Sequence, residues 1–450
     1  MSSPGAADRE SGGLDPVDVR VRLELLADLG HGFLESGQTG AQTERVLDPC
    51  AAGVGLRGAS FTAIGRILLL EATLPDGGTA TLSGAAHGLD TIDCSRLRSL
   101  DRIADELMAG ELAEHGKDQQ KRLAELSAAV TRIRGRSTSQ WIVVGGMTLL
   151  AFFISMQVGV TWQAWVSAAA VELITCLVGI GVVRLRMPKL FAAILQSTAG
   201  GTFATALVLL GFVSPVGAAV AIAVTWLLLL PLPQIISGVG DAIEGDYLSA
   251  LSRASSVVVV AAGIVVGGAL TFSLGEVLGM QHPGLEELPS LPWYLTVTFS
   301  GLGALANAFA NGGRRSLIVP AVALGVITSL TNLALQLVGL PLVWSSALSA
   351  VVLGAITVVM AARIGYPQQV LALMGVTGAL LPGLTVFFGI LQLMGGESGL
   401  EHLGAAAGIV LGVGAGVAGG TYLAGWGRPL RLRRQPRPRQ GVGPRAVRRS

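Results

Sequence analysis

From residue 141 to 426 the chain runs in apolar blocks, divided by short segments that carry Gly, Pro and Arg. Blocks of about 20 apolar residues are the length at which an α-helix, rising about 1.5 Å per residue, crosses a hydrocarbon core of about 30 Å. The pattern predicts ten such spans: Trp141–Val160, Ala164–Val183, Leu190–Val213, Val216–Gly238, Ser256–Leu274, Trp293–Asn311, Leu317–Val338, Leu342–Ala362, Val370–Met394 and Gly404–Trp426. Turn residues at Gly211–Pro215 and Gly339–Pro341 do most of the dividing between two neighbouring pairs.

Residues 17–136 are patterned differently and predict a small α+β soluble domain. Val21, Leu25, Leu29 and Phe33 recur at helical spacing, and Val46, Leu47 and Cys50 predict a second helix after the Gly37–Gly40 break, with Pro49 as its weak point. Ser60–Leu74 and Thr79–Gly84, joined by Pro75-Asp76-Gly77-Gly78, predict a β-hairpin. Helical periodicity returns over Leu97–Leu112 and Lys117–Arg134. Residues 1–16 have neither the basic segment nor the apolar core of a cleavable signal and are expected to be a disordered leader.

Composition agrees with the pattern. Of 450 residues, 51% are apolar and 13% charged, against roughly 25% charged in an ordinary soluble domain. Three cysteines, Cys50, Cys94 and Cys176, are too few and too scattered for a disulfide framework or a zinc site. The soluble segment holds His31, Glu35, Glu44, His87, Asp90 and Asp93, with His31 and Glu35 one helical turn apart, but no HExxH, GxSxG, phosphate-binding loop or CxxC. No catalytic site, metal or cofactor is therefore expected. The net charge of +2 gives no nucleic-acid footprint, and the nine arginines after Trp426 read as a lipid-facing anchor.

Positive side chains remain on the cytoplasmic side of a membrane. Arg132, Arg134 and Arg136 precede the first span; Arg184, Arg186 and Lys189 follow the second; Arg253, Arg314 with Arg315, and Arg363 follow the fourth, sixth and eighth. Ten spans put all of these, the soluble domain and the basic 427–450 tail in the cytoplasm of an inner or plasma membrane. The loop 276–292, with Glu276, Glu286 and Glu287, then lies outside. Trp141, Trp293, Trp344 and Trp426 fall near span ends, where interfacial aromatics gather.

The spans divide five and five, over 141–275 and 293–426, with offsets of about 150 residues between matching starts and between Pro231 and Pro382. Five is odd, so the halves would cross in opposite senses, as in the inverted repeats of secondary transporters. Helix breaks at matching places are the pointers to a site in such repeats: here Pro231-Leu232-Pro233-Gln234 and Leu381-Pro382-Gly383. Proline frees a backbone carbonyl that could meet a solute, though Pro and Gly also kink and pack membrane helices with no site present. Glu172, near the middle of the second span, would cost about 2.5–3.5 kcal/mol as a charge in lipid, so it should face a cavity or partner and could carry a coupling proton. Gln196, Asn307, Asn311, Asn332 and Gln336 could line a path or bond between helices. Asp241, with Glu244 and Asp246, forms an acidic connector after the fourth span, either a gate or a capped helix.

At Gly37–Leu56 (GQTGAQTERVLDPCAAGVGL), Pro231–Ala254 (PLPQIISGVGDAIEGDYLSALSRA) and Leu373–Leu393 (LMGVTGALLPGLTVFFGILQL) the chain resembles the threonine/serine exporter family, and the resemblance spans nearly all of 20–426. It implies a soluble domain ahead of ten spans and export of threonine and serine driven by the proton motive force. Related two-subunit versions imply dicarboxylates such as succinate as the alternative solute. The expected partners are a small polar solute, protons and membrane lipid, with a homo-oligomer left open. The competing view is a membrane-anchored enzyme or signalling protein acting through residues 20–136.

Overall fold

The computed structural model describes residues 15–74, 76–87, 92–110, 117–136, 138–158, 161–279, 291–380, 385, 388–389, 392 and 398–425. Pro382, Gly383, Trp426, the first fourteen residues and the basic tail lie outside the described residues.

The soluble part begins with α1 (Pro16–Glu35), capped by Asp15 and opened by Pro16, and α2 (Gly40–Gly53), capped by Thr39. Pro49 sits inside α2 without ending it. Leu25, Leu29 and Phe33 are buried as expected, but Val21 is exposed. The predicted two-stranded hairpin is a three-stranded antiparallel meander: β1 (Ser60–Ile64), β2 (Ile67–Thr73) and β3 (Thr79–Ala85). Ile64 pairs with Ile67 across a two-residue turn, where Gly65 adopts φ +58°. That left-handed backbone suits glycine, so the chain folds back inside what the apolar run presents as one strand. Helices α3 (Cys94–Met108), capped by Asp93, and α4 (Lys117–Arg134) complete the domain. Its core joins Leu26, Phe33, Leu47, Leu68, Leu100 and Val130.

The rest is helical: α5 (Gln140–Gln157), α6 (Trp162–Arg184), α7 (Lys189–Leu209), α8 (Pro215–Leu229), α9 (Leu232–Ile243), α10 (Tyr247–Val277), α11 (Trp293–Ala310), α12 (Arg315–Leu337), α13 (Leu342–Ile364), α14 (Gln368–Ala379) and α15 (Leu400–Gly425). Seven of these are long and apolar enough to cross a membrane, and α8 with α9, bent by 48° at Leu230-Pro231, make an eighth. Among the described residues that is two fewer than the ten predicted. Trp293, Tyr294 and Asn307 lower the hydropathy of α11, and α14 is 12 residues long before the description breaks off. Large apolar side chains such as Leu173, Leu195, Val258 and Val352 face outward, as a lipid solvent requires.

Small residues make the inner seams. A Cβ on Gly416 or Gly420 of α15 would sit 2.3 Å from the Ala347 carbonyl or 1.9 Å from the Val351 carbonyl of α13. Gly263 and Gly267 of α10 meet Leu190, Ala193 and Ile194 of α7 in the same way. Neighbour relations recur between halves: α5–α6, α6–α7, α6–α8, α7–α8 and α7–α10 have counterparts in α11–α12, α12–α13, α12–α14, α13–α14 and α13–α15. Helices α5 and α11 run antiparallel across the junction. Gly146 early in α5 abuts Ala310 at the end of α11, and Ser300 early in α11 reaches Gln157 at the end of α5.

Candidate functional site

The C-terminal ends of α8 and α14 meet at a cavity of about 240 Å³. Ala223, Val224 and Leu227 of α8, just before the Pro231 break, form one wall, and Thr377 to Leu380, closing α14 just before Leu381-Pro382, form the facing wall. Pro231 cannot donate the next helical hydrogen bond, which is why α8 stops before it. Gln157 of α5, Asn332 of α12 and Ser346 of α13 supply polar groups between these walls, and Thr385 adds a hydroxyl. Asn332 Oδ1 is buried without a hydrogen-bond partner, and Gln157 accepts from Ser300 at 3.4 Å. No charged side chain lines the cavity among the described residues. Such a place can hold a small solute by amide and hydroxyl contacts, with its apolar part against the α8 wall.

Of the residues singled out in the sequence, Asn332 lines this cavity. Pro231 is the N-cap of α9 and Pro233 lies in its first turn, so both shape the break rather than contact the space. Gln234, Ser237 and Asp241 form one buried face of α9, and Ser237 accepts a hydrogen bond from Gln369 of α14 at 2.8 Å. Asp241 is an ion pair with Arg253 of α10, Oδ2 to Nε at 2.8 Å, both side chains almost fully buried. Asn307 reaches the Leu373 carbonyl of α14 at 3.4 Å, and Asn311 donates back to Asn307 at 2.9 Å, so this pair ties α11 to α14. Glu172 and Gln196 sit at a separate node among α6, α7 and α8. Glu172 is 2% exposed, with Cys176 Sγ 3.4 Å from Oε1, while Gln196 bonds the Thr175 carbonyl at 3.4 Å. The sequence did not single out Gln157, Ser346 and Thr377, since isolated polar residues in membrane helices resemble interhelical bonds until the helices are packed.

In the soluble domain, Glu35 binds Arg134 at 3.0 Å and accepts from the His87 backbone N–H at 3.3 Å. Burial pushes this carboxyl up, but the hydrogen bond and charge of Arg134, aided by His87, outweigh it and hold Glu35 below its ordinary value. Burial leaves Glu44 above its ordinary value, although its carboxylate accepts from the Ala63 N–H at 2.6 Å.

A sequence profile described as "Putative threonine/serine exporter" matches residues 24–275, more than half of the chain. The chain belongs to the threonine/serine exporter family. A relative described as "Probable threonine/serine exporter", from Mycobacterium tuberculosis (strain ATCC 25618 / H37Rv), is 26% identical over 446 residues, covering 95% of this chain and 80% of that protein. No solved structure matches.

In this member of the exporter family the soluble domain is docked on one end of a multi-pass membrane bundle and touches both halves of it. Arg45 of α2 pairs with Glu244, and the Gly65 N–H donates to Ser249 Oγ at 2.8 Å, both on the α9–α10 connector side. Cys94 N–H donates to the Asn311 carbonyl at 2.9 Å. Arg98 bonds Ser316 and the Tyr366 hydroxyl, and its guanidinium lies 4.6 Å from the Tyr366 ring centroid. Lys189 at the start of α7 reaches Ser256 near the start of α10 at 2.9 Å. The basic connectors therefore share the end that carries the soluble domain.

Proposed function

We propose that this exporter carries small polar amino acids of the threonine and serine class through the cavity between α8 and α14, driven by the proton motive force. The observation that carries this is a largely apolar space, carrying the polar groups of Gln157, Asn332, Ser346 and Thr377, where the ends of α8 and α14 meet. Its volume of about 240 Å³ is below the range of roughly 300–1,000 Å³ typical of drug-sized ligands, and so suits a solute of amino-acid size. Gln157, Asn332, Ser346 and Thr377 are uncharged groups able to bond an ammonium, a carboxylate and a hydroxyl together. A dicarboxylate is the second solute class, but a dianion would enter a space that offers no cation among the described residues. Family membership favours transport over an enzyme or signalling role for the soluble domain.

Matching neighbour relations in the two halves and the antiparallel α5–α11 contact support a ten-span, five-plus-five inverted repeat that rocks around the cavity. Basic connectors at the end bearing the soluble domain support cytoplasmic placement of that end. Glu172, buried in a membrane helix with Oε2 unbonded, is the carboxyl to which we assign the coupling proton. The remaining site candidates, Gln196, Pro231, Pro233, Gln234, Asp241, Asn307 and Asn311, act on this account by positioning helices. Efflux of labelled threonine, serine and succinate from cells expressing the chain, with and without an uncoupler, tests the proposal. Threonine and serine should leave in an uncoupler-sensitive manner. Uncoupler-insensitive efflux, or succinate alone leaving, would overturn it.

A further inference from the structure

Threonines inside helices ordinarily return their hydroxyl proton to the carbonyl four residues earlier. In this bundle Thr205, Thr271, Thr377 and Thr421 do so at 2.8–3.0 Å. Thr225, four residues before the end of α8 and fully buried, does not. Its hydroxyl neighbours the Glu172 carboxyl of α6, and both Thr225 Oγ1 and Glu172 Oε2 are buried without a hydrogen-bond partner. Thr175, one turn along from Glu172, also leaves its hydroxyl unbonded. Gly200 of α7 keeps the space open: a Cβ there would lie 2.6 Å from Thr175 Oγ1 and 3.5 Å from Thr225 Cγ2. Cys176 is the other titratable group at this node; α7 presents Gln196 and Gly200, α8 presents Thr225, and no charged side chain faces Glu172 among the described residues.

We infer that Thr225 is the positioning residue that transmits the protonation of Glu172 to the solute cavity through α8. The inference rests on the assignment of Glu172 as the coupling carboxyl. Ionised Glu172 accepts the Thr225 hydroxyl proton. Protonated Glu172 instead donates its own O–H to Thr225 Oγ1, which frees the Thr225 hydroxyl proton for the Ala221 carbonyl, four residues back. Back-bonding of this kind bends a helix. Ala223, Val224 and Leu227, which flank Thr225 on α8, form the cavity wall, and α8 ends two residues before Pro231 at the 48° break. A change of bend at Thr225 therefore moves the wall that faces the solute.

The second half keeps only part of this node: the step that relates the halves replaces Glu172 by Gly325 and Thr225 by Gly378, and retains the threonine at 328. Helices α12 and α13 begin 153 residues after α6 and α7, at Arg315 and Leu342 against Trp162 and Lys189. The same step takes Thr175 to Thr328, whose hydroxyl is also unbonded, and Glu172 to Gly325, packed directly on the Ser300 carbonyl. Only the first half therefore places a carboxyl and a facing threonine here.

The full chain in proteoliposomes loaded with labelled threonine provides the test. Efflux is measured across a range of imposed pH gradients and normalised to each variant's own threonine–threonine exchange. Thr225→Val, which keeps the volume and removes the hydroxyl, should cut the gradient-driven stimulation roughly tenfold, the effect of one hydrogen bond to a charged group. Thr225→Ser should keep it, and Thr225→Ala, which only deletes atoms, carries the same expectation as valine if valine prevents folding. Glu172→Gln should abolish the stimulation. A wild-type gradient response in Thr225→Val or Thr225→Ala alongside its loss in Glu172→Gln would overturn the link while leaving the coupling carboxyl in place. Loss in Thr225→Ser equal to that in valine would also overturn it, since packing rather than the hydroxyl would then be responsible. A wild-type response in Glu172→Gln would remove the coupling assignment and this inference with it.

Discussion

Replacing Asp241 by Asn leaves the Arg253 guanidinium charged and enclosed between α9 and α10. The two side chains are 0% and 4% exposed and lie 2.8 Å apart. At an effective dielectric of about 20 their attraction is roughly 6 kcal/mol, most of it offsetting the removal of two charges from water. Losing one partner should therefore cost about 3–5 kcal/mol, whereas exchanging both for apolar residues of similar volume should cost little. At about 2 °C per kcal/mol, the lower end for large domains, Asp241→Asn and Arg253→Met should each lower the midpoint of thermal unfolding in detergent by roughly 6–10 °C. The double variant Asp241→Leu/Arg253→Met should recover most of that loss. Size-exclusion chromatography after heating reads the midpoint, and threonine efflux from the same variants reads function. On this account Asp241 pins the α9–α10 hairpin, so efflux should return with stability. A double variant no more stable than the worse single would refute the energetic argument. A stable double variant without efflux would place Asp241 in transport itself.

Two further outcomes concern the soluble domain. Arg98→Ala removes the contacts to Ser316 and Tyr366 at once, a loss of about 1–3 kcal/mol, and should speed hydrogen exchange in the 364–367 connector and protease cleavage between 135 and 139 without changing exchange in α1. Because Arg134 and the His87 N–H hold Glu35 below its ordinary value, its stabilisation is complete above the unfolded carboxyl value of about 4.3 and is lost as pH falls through the lower folded value. The thermal midpoint of the full chain should therefore decline below about pH 4.3 less steeply in Glu35→Gln than in wild type; identical slopes would contradict the assignment.

The membrane part was legible because lipid demands long apolar helices, and that demand is written locally at every position. There the break at Pro231 follows from a missing N–H, and in the soluble domain α4 follows its periodicity over Lys117–Arg134. Gly65 carried the signal that divides β1 from β2, but the four apolar residues Ile67–Leu70 on its far side hid it inside one run. The site was less legible. Glu172 and Gln196 stand out as polar groups at membrane depth, yet they sit at the node among α6, α7 and α8 rather than at the cavity. Gln157 comes from α5, far along the chain from the consecutive helices α13 and α14 that carry Ser346 and Thr377, and their convergence depends on how these helices pack, which no local pattern records. Asn307 reaches across to the Leu373 carbonyl of α14, whereas Asn311 bonds back to Asn307 at the end of its own helix.

The central claim is that threonine and serine occupy the space between α8 and α14. Alkylation of Ser346→Cys in the full chain in proteoliposomes tests it most directly, with the protein lacking the added cysteine setting the background from Cys50, Cys94 and Cys176. Threonine and serine should slow labelling at the concentrations that saturate their transport, and leucine should not. Labelling that proceeds at the same rate in saturating threonine would put the solute elsewhere.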